Sequence, residues 1–236
     1  YQKQKLEAWN EMAKKLVHEI KNPLTPIRLS AERMRKLTSE ESQSRDKAVI
    51  EGTGTIINEV NSLMSLVSEF NTFARLPERK PEHARINRIV SETIALFSAH
   101  DNIIFKLDLG DDVPEISADR GLLRQALNNL ITNAVQAIEG NGTITVSSRF
   151  DSAAQEVVLV IHDTGSGIDE KNLERIFEPG WTSGKSSTGL GLAIVEKIVF
   201  EHNGRITCDS RKGEWTVFEI RLPVNSGVND GGNTDS

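Results

Sequence analysis

His18, Glu19 and Asn22 stand together in the run Val17-His18-Glu19-Ile20-Lys21-Asn22-Pro23-Leu24-Thr25-Pro26, a histidine, an acid and an amide on one helical stretch that carries two prolines. A neutral imidazole is a nucleophile, and with an ordinary pKa of about 6.5 it is mostly neutral at slightly alkaline pH without a strong base. Glu19 can orient the ring N–H and take the proton released as the other nitrogen attacks phosphorus. Asn22, four residues after His18, falls on the same helical face one turn along, where its amide can position a water. Taken singly, Glu19 and Asn22 suit a solvated face equally well. Together the three read as a site built to carry a phosphoryl group.

A second set lies between residues 129 and 191. Asn129 and Asn133 are four apart, so both amides project from one face of a helix whose other face carries Leu123, Leu127, Leu130, Ala134 and Ile138. Amide oxygens at that spacing suit a magnesium ion that keeps waters and shares phosphate oxygens; surface polarity is the plainer alternative. Val157 to Ile161 is a continuous apolar run, expected as a strand buried on both faces, and it leads into Asp163-Thr164-Gly165-Ser166-Gly167. Asp163 can accept from an exocyclic amine such as adenine's, and Gly165 and Gly167 let backbone approach a ligand, although the same letters also suit a tight turn. Thr188, Gly189, Leu190 and Gly191 open an apolar helix whose N-terminal N–H groups and dipole favour phosphate. The polar segment of about twenty residues between the glycine pairs is expected to be a lid anchored by Phe177 and Trp181. Lys185, in its later half, either reaches a phosphate or is solvated.

Two helical stripes must hold the first set. Apolar residues at Leu6, Trp9, Ala13, Leu16 or Val17, Ile20, Leu24, Ile27, Ala31, Met34 and Leu37 recur in steps of three and four, as do Val49, Thr53, Ile56, Val60, Leu63, Val67, Phe70 and Ala74. The polar run Thr38 to Arg45 between them predicts an antiparallel hairpin, and Pro23 and Pro26 predict a bend just after the histidine. One hairpin cannot bury stripes of that length, so a second copy completing a four-helix bundle, a symmetric homodimer, is expected. Gly52 and Gly54 mark a flexible point near its middle.

From Leu76 to Pro81 the pattern changes to alternating strands and helices. The expected organisation is a hairpin over residues 1–77, a linker over 78–86, an α/β domain over 87–223 and a disordered tail over 224–236. Strands are expected near 103–109, 143–150, 157–162, 205–209 and 215–222. Helices are expected near 87–99, 119–139, 170–177 and 189–202, the second capped by Ser117 and stopped at Gly140. The result is a mixed sheet with helices on one face, a two-layer α/β sandwich.

In order, His18-Glu19-x-Lys21-Asn22-Pro23-Leu24-Thr25-Pro26, Asn129-x-x-x-Asn133-Ala134, Asp163-x-Gly165-x-Gly167, Phe177-x-Pro179 and Gly189-Leu190-Gly191-Leu192 resemble a two-component sensor histidine kinase over residues 5 to about 223. The continuation from Thr25 to Arg33 is similar to the nitrogen-regulation, NtrY-like branch. The resemblance implies a dimerisation and phosphoacceptor hairpin followed by a GHKL (Bergerat) ATP-binding fold. It implies ATP and Mg2+ as cofactors, phosphorylation of His18 with help from Glu19, and transfer to an aspartate on the receiver domain of a response regulator. Asn22 then supports dephosphorylation of that regulator. Asn129 and Asn133 take the metal and phosphate positions, Asp163 reads adenine, Gly165 and Gly167 border one edge of the lid, Thr188 to Gly191 the other, and Lys185 meets phosphate. Relatives of this fold that hydrolyse ATP carry a glutamate where Asn129 stands, and an amide cannot deprotonate water. The lid departs from the family: Gly180-Trp181-Thr182-Ser183-Gly184-Lys185 has one aromatic where two are usual and a lysine displaced by one residue. That departure keeps a second reading open, an ATP-binding scaffold or phosphatase-dominant module.

The 236 residues are 37% hydrophobic and 26% charged, as for two folded domains, and the net charge of −6 argues against nucleic-acid binding. Cys208 is the single cysteine, so no intrachain disulfide forms, and a packing role is expected for it. There is no run of eighteen apolar residues, and the first residues already lie on a helical stripe. The expectation is the cytoplasmic part of a membrane-anchored sensor, its anchor upstream.

Overall fold

A computed structural model describes residues 20–36, 42–74, 79–182 and 189–224. The chain divides into two compact units, one of residues 1–75 and 178–190, the other of residues 76–177 and 191–236.

In the first unit, helix α1 covers residues 20–36 and α2 covers Ser42–Ala74. At 1.5 Å per residue α2 is about 50 Å long. Helix α1 runs through Pro23 and Pro26 without a break, so the two prolines do not end it. Pro23, Ala48 and Gly52 are buried, and a Cβ added at Gly52 would stand 3.0 Å from Met34 Sδ. Gly52 is therefore the seat of the Met34 side chain, a packing role in place of the flexible point expected from its type. The apolar stripes themselves stay open: Leu24, Val49, Val60 and Val67 are each at least 40% exposed.

The second unit is built on a five-stranded sheet in the order β2-β4-β5-β7-β6, formed by Ile103–Leu109, Gly142–Asp151, Glu156–Asp163, Trp215–Pro223 and Arg205–Arg211 respectively. β2 and β4 are parallel and the other neighbours antiparallel. Helices α3 (Ile86–Ala95), α4 (Arg120–Ala137) and α5 (Gly191–Glu201) pack on one face. Period-two patterning decides that face: Ile144 and Val146 on β4, and Phe218, Ile220 and Leu222 on β7, are buried, while Trp215, Val217, Glu219 and Arg221 are partly exposed. They meet Ile89 of α3, Leu130 and Ile131 of α4, and Ile194 and Ile198 of α5, all fully enclosed. Each such side chain contributes about 1.5–3 kcal/mol on leaving water.

Val158 points to the opposite face of β5 and is still fully buried. Its register neighbours are Arg149 and Arg221, whose long stems can cover it. Arg221 reaches Glu219 and Asp151, and Arg205 grips Glu156 at 2.5 and 2.8 Å, so the charged heads lie in a lattice over this face.

The structure adds a two-stranded antiparallel sheet that the sequence did not announce, β1 (Glu82–Ala84) against β3 (Ile116–Ala118). Ser117, expected as a helix cap, pairs with His83 inside it. The cap of α4 is Asp119, which has extended backbone and accepts from the Leu122 N–H at 3.0 Å. Residues 170–177, expected as a helix, contain only a 3-10 turn at Glu170–Asn172 followed by turns. The tail beyond Val224 lies outside the described residues.

Candidate functional site

Asp163 ends β5 with only 3% of its surface exposed, facing the helices between Ile144 of β4 and Thr216 of β7. Its Oδ1 accepts the Gly165 N–H at 2.9 Å. Burial pushes the carboxyl up to about 6, and the Gly165 N–H only partly opposes that. A carboxylate held this way has one backbone donor for two oxygens and gains from a further donor brought by a ligand.

The two glycines after it make close approaches to protein. A Cβ at Gly165 would stand 2.7 Å from Ala137 Cβ, and the neighbouring Ser166 N–H donates to the Ala137 carbonyl at 2.8 Å. Gly167 has φ +62°, and a Cβ there would overlap the Arg211 carbonyl. The Gly213 N–H returns to the Ser166 carbonyl at 2.6 Å. The loop is thus wedged between the end of α4 and the β6–β7 turn, and glycine is required by that wedge.

Asn133, one turn before Ala137, and Asn129 are both half-buried on α4. Asn129 Nδ2 donates to the carbonyl of Gly191, the first residue of α5, at 3.2 Å, which leaves its Oδ1 for another partner. Among the described residues no group of three His, Cys, Asp or Glu could hold a metal ion. A divalent cation here would rest on amide oxygens and on oxygens of its ligand, a set that fits magnesium.

The far ends of the two helices are joined by a buried histidine. His202 Nδ1 donates to the Ile198 carbonyl at 2.7 Å and Nε2 accepts the Asp119 N–H at 2.9 Å, so the ring is neutral. Burial holds its pKa down. Asp119 Oδ2 also takes the Lys80 N–H at 2.9 Å, and Arg79 donates to the Glu201 carbonyl at 2.9 Å, which stitches residues 79 and 80 to both helices.

Of the other residues that the motifs single out, some belong to the other unit and some lie outside the described residues. Asn22 is exposed on α1 in the other unit. Gly189 has φ +67°, and its carbonyl accepts the Gly180 N–H at 2.9 Å; Leu190 is buried. His18, Glu19, Lys185 and Thr188 lie outside the described residues. Cys208 packs on the helix side opposite Phe218, where burial pushes its thiol up to about 12. Two polar residues escaped sequence reading: Thr216, 3% exposed beside Asp163, and Ser210 beside Thr216. Only sheet register brings them there.

Comparison with known proteins agrees with this geometry. Residues 8–79 match the His Kinase A (phospho-acceptor) domain, and residues 118–226 match the family described as histidine kinase-, DNA gyrase B- and HSP90-like ATPase. The nitrogen regulation protein NtrY of Azorhizobium caulinodans is 37% identical over 230 residues, which cover 92% of this chain and 29% of that protein. The chain therefore spans less than a third of the length of this curated relative. The catalytic domain of histidine kinase ThkA is 31% identical with a TM-score of 0.56, over 61% of this chain and 96% of that one. The crystal structure of ThkA in complex with the response regulator protein TrrA is 28% identical with a TM-score of 0.75, over 94% of this chain and 64% of that one.

Proposed function

The chain belongs to the histidine kinases, a phospho-acceptor domain followed by an ATP-binding domain, and on that premise we propose that it phosphorylates its own His18 from ATP and passes the phosphoryl group to an aspartate of a response regulator. The observation that carries this reading furthest is Asp163, an enclosed carboxylate with a raised pKa at a strand end, where an adenine amine would supply its missing donor.

The Asn129 and Asn133 amides would hold magnesium, which would supply positive charge to offset that of the nucleotide's phosphates. A neutral nitrogen of His18 attacks the γ-phosphorus, the bond to the bridging oxygen breaks and ADP leaves, while Glu19 takes the ring proton. Asn129 cannot act as a base toward water, which favours delivery of the phosphoryl group to histidine over hydrolysis. Asn22, exposed on α1, is free to position water against the phosphoaspartate of a docked regulator and so give phosphatase activity. The open stripes of α1 and α2 support a homodimer in which two hairpins bury them together. Among the described residues no helix is long and apolar enough to cross a membrane.

The test is incubation with magnesium and γ-labelled ATP. Acid-labile, alkali-stable label that is absent from His18→Gln supports the reading. Measurable ATP binding without label would instead favour the scaffold or phosphatase-dominant alternative, consistent with the altered run Gly180 to Lys185.

A further inference from the structure

Ser210 of β6 lies directly across from Thr216 of β7, and Thr216 directly across from Asp163 of β5. The three residues form one row on the helix-facing side of the sheet, so a proton placed in one hydroxyl constrains the next. Ser210 Oγ makes three contacts. It accepts the Ile168 N–H at 2.8 Å, it donates to the Trp215 carbonyl at 2.8 Å, and it lies 3.1 Å from Thr216 Oγ1. A serine hydroxyl has one proton, and the Trp215 carbonyl can only accept. The proton in the third contact must then come from Thr216, whose hydroxyl donates to Ser210 and keeps lone pairs alone to offer any other group.

We propose that Ser210 is a specificity-determining positioning residue: by holding the Thr216 proton on itself it makes Thr216 a second acceptor beside Asp163, tuning the site to 6-aminopurine nucleotides and against 6-oxopurine ones. An amino group brings two N–H donors to two acceptors, whereas an oxo group brings lone pairs to lone pairs. A threonine hydroxyl free to rotate could donate to a 6-oxo group and would discriminate poorly. The Ile168 N–H completes the lock, since it belongs to the loop that follows Gly167 and occupies a lone pair of the Ser210 hydroxyl. The proposal rests on Asp163 as the reader of the base.

The experiment measures equilibrium binding of magnesium ATP and magnesium ITP to the full chain, in the wild type, Ser210→Ala, Thr216→Val, the double variant and Asp163→Asn. The expected result is a fall of about tenfold in the ATP-over-ITP preference on Ser210→Ala, the size of one hydrogen bond. Ser210→Thr, which keeps the hydroxyl, should restore the preference, and Ser210→Ala should change nothing further once Thr216 is valine. Ser210→Cys, a poor acceptor, replaces the alanine variant if that one does not fold. An unchanged preference in Ser210→Ala, or an equal fall in the Thr216→Val background, overturns the proposal while leaving the site reading intact. ATP affinity that survives Asp163→Asn overturns the site reading and the proposal with it.

Discussion

The helical unit and the α/β unit treat their apolar residues in opposite ways. Among the described residues, the hairpin leaves Leu24, Leu29, Val49, Ile50, Ile57, Val60, Met64 and Val67 exposed and buries little more than Pro23, Ala48 and Gly52. The α/β unit closes Ile89, Leu130, Ile144, Ile161, Ile194 and Ile198 away from solvent almost completely. A single copy of the second is an enclosed core, whereas a single copy of the first leaves open the surface that the proposed homodimer would cover. Their stabilities should therefore answer to different variables, the hairpin to protein concentration and the α/β unit to its own packing.

The largest expected effect breaks the hairpin alone. Val60→Glu places a charge in the open stripe and should weaken self-association by roughly a hundredfold or more, about 3 kcal/mol. Sedimentation would show the dissociation, and the melting of the α/β unit should not move. A wild-type chain that stays monomeric at tens of micromolar would remove the basis for the comparison.

The same contrast shows what a sequence can disclose. Amphipathic period set the two helices of the hairpin, and a continuous apolar run set the strand through Val157, because both signals are local and strong. Ser117 and Asp119 are both good caps two residues apart, and what separates them is the pairing of Ser117 with His83, more than thirty residues away. Glycines at 165 and 167 announced a close approach, but the partners, Ala137 and Arg211, come from the end of a helix and from a strand edge. Thr216 and Ser210 carry no motif of their own. Their place beside Asp163 is a property of register in a sheet whose strands are far apart in sequence.

Asp163 is a carboxyl whose charge the α/β unit buries, and the cost should be measurable without any ligand. Its folded pKa of about 6 lies above the ordinary carboxylate value, so it favours the fold when protonated and this contribution is lost as pH rises through about 6. Asp163→Asn should therefore stabilise the empty protein at pH 7 by up to about 3 kcal/mol, with little gain near pH 4, while abolishing ATP binding. Thermal melts at the two pH values decide it, and equal gain at both would mean that charge burial is not the cause.

His202 is the satisfied counterpart in the same unit, and its pH dependence has the opposite sign. Because its folded pKa is depressed by burial, its stabilising contribution is complete above the unfolded value of about 6.5 and is lost as pH falls below it, since the protonated ring cannot accept the Asp119 N–H. His202→Gln should flatten the acid side of the stability profile below about pH 6.5, and should loosen the attachment of residues 79 and 80, seen as faster hydrogen exchange at the Lys80 amide. A profile of unchanged slope would assign the acid sensitivity to another group.

The smallest effect separates two glycines inside the hairpin. Both sit in α2, where glycine is less favourable than alanine by about 1 kcal/mol. A Cβ at Gly54 meets nothing within 4 Å, so Gly54→Ala should gain most of that amount. A Cβ at Gly52 meets Met34 Cγ and Sδ at 3.0 Å, and although a methionine side chain can shift, Gly52→Ala should gain less or lose stability outright. The difference between the two variants, read from denaturant midpoints at one protein concentration, measures how much of the hairpin's cohesion lies within a single chain. If both gain equally, the Met34 seat contributes nothing, and the stability of the hairpin comes almost wholly from the surface that it leaves exposed.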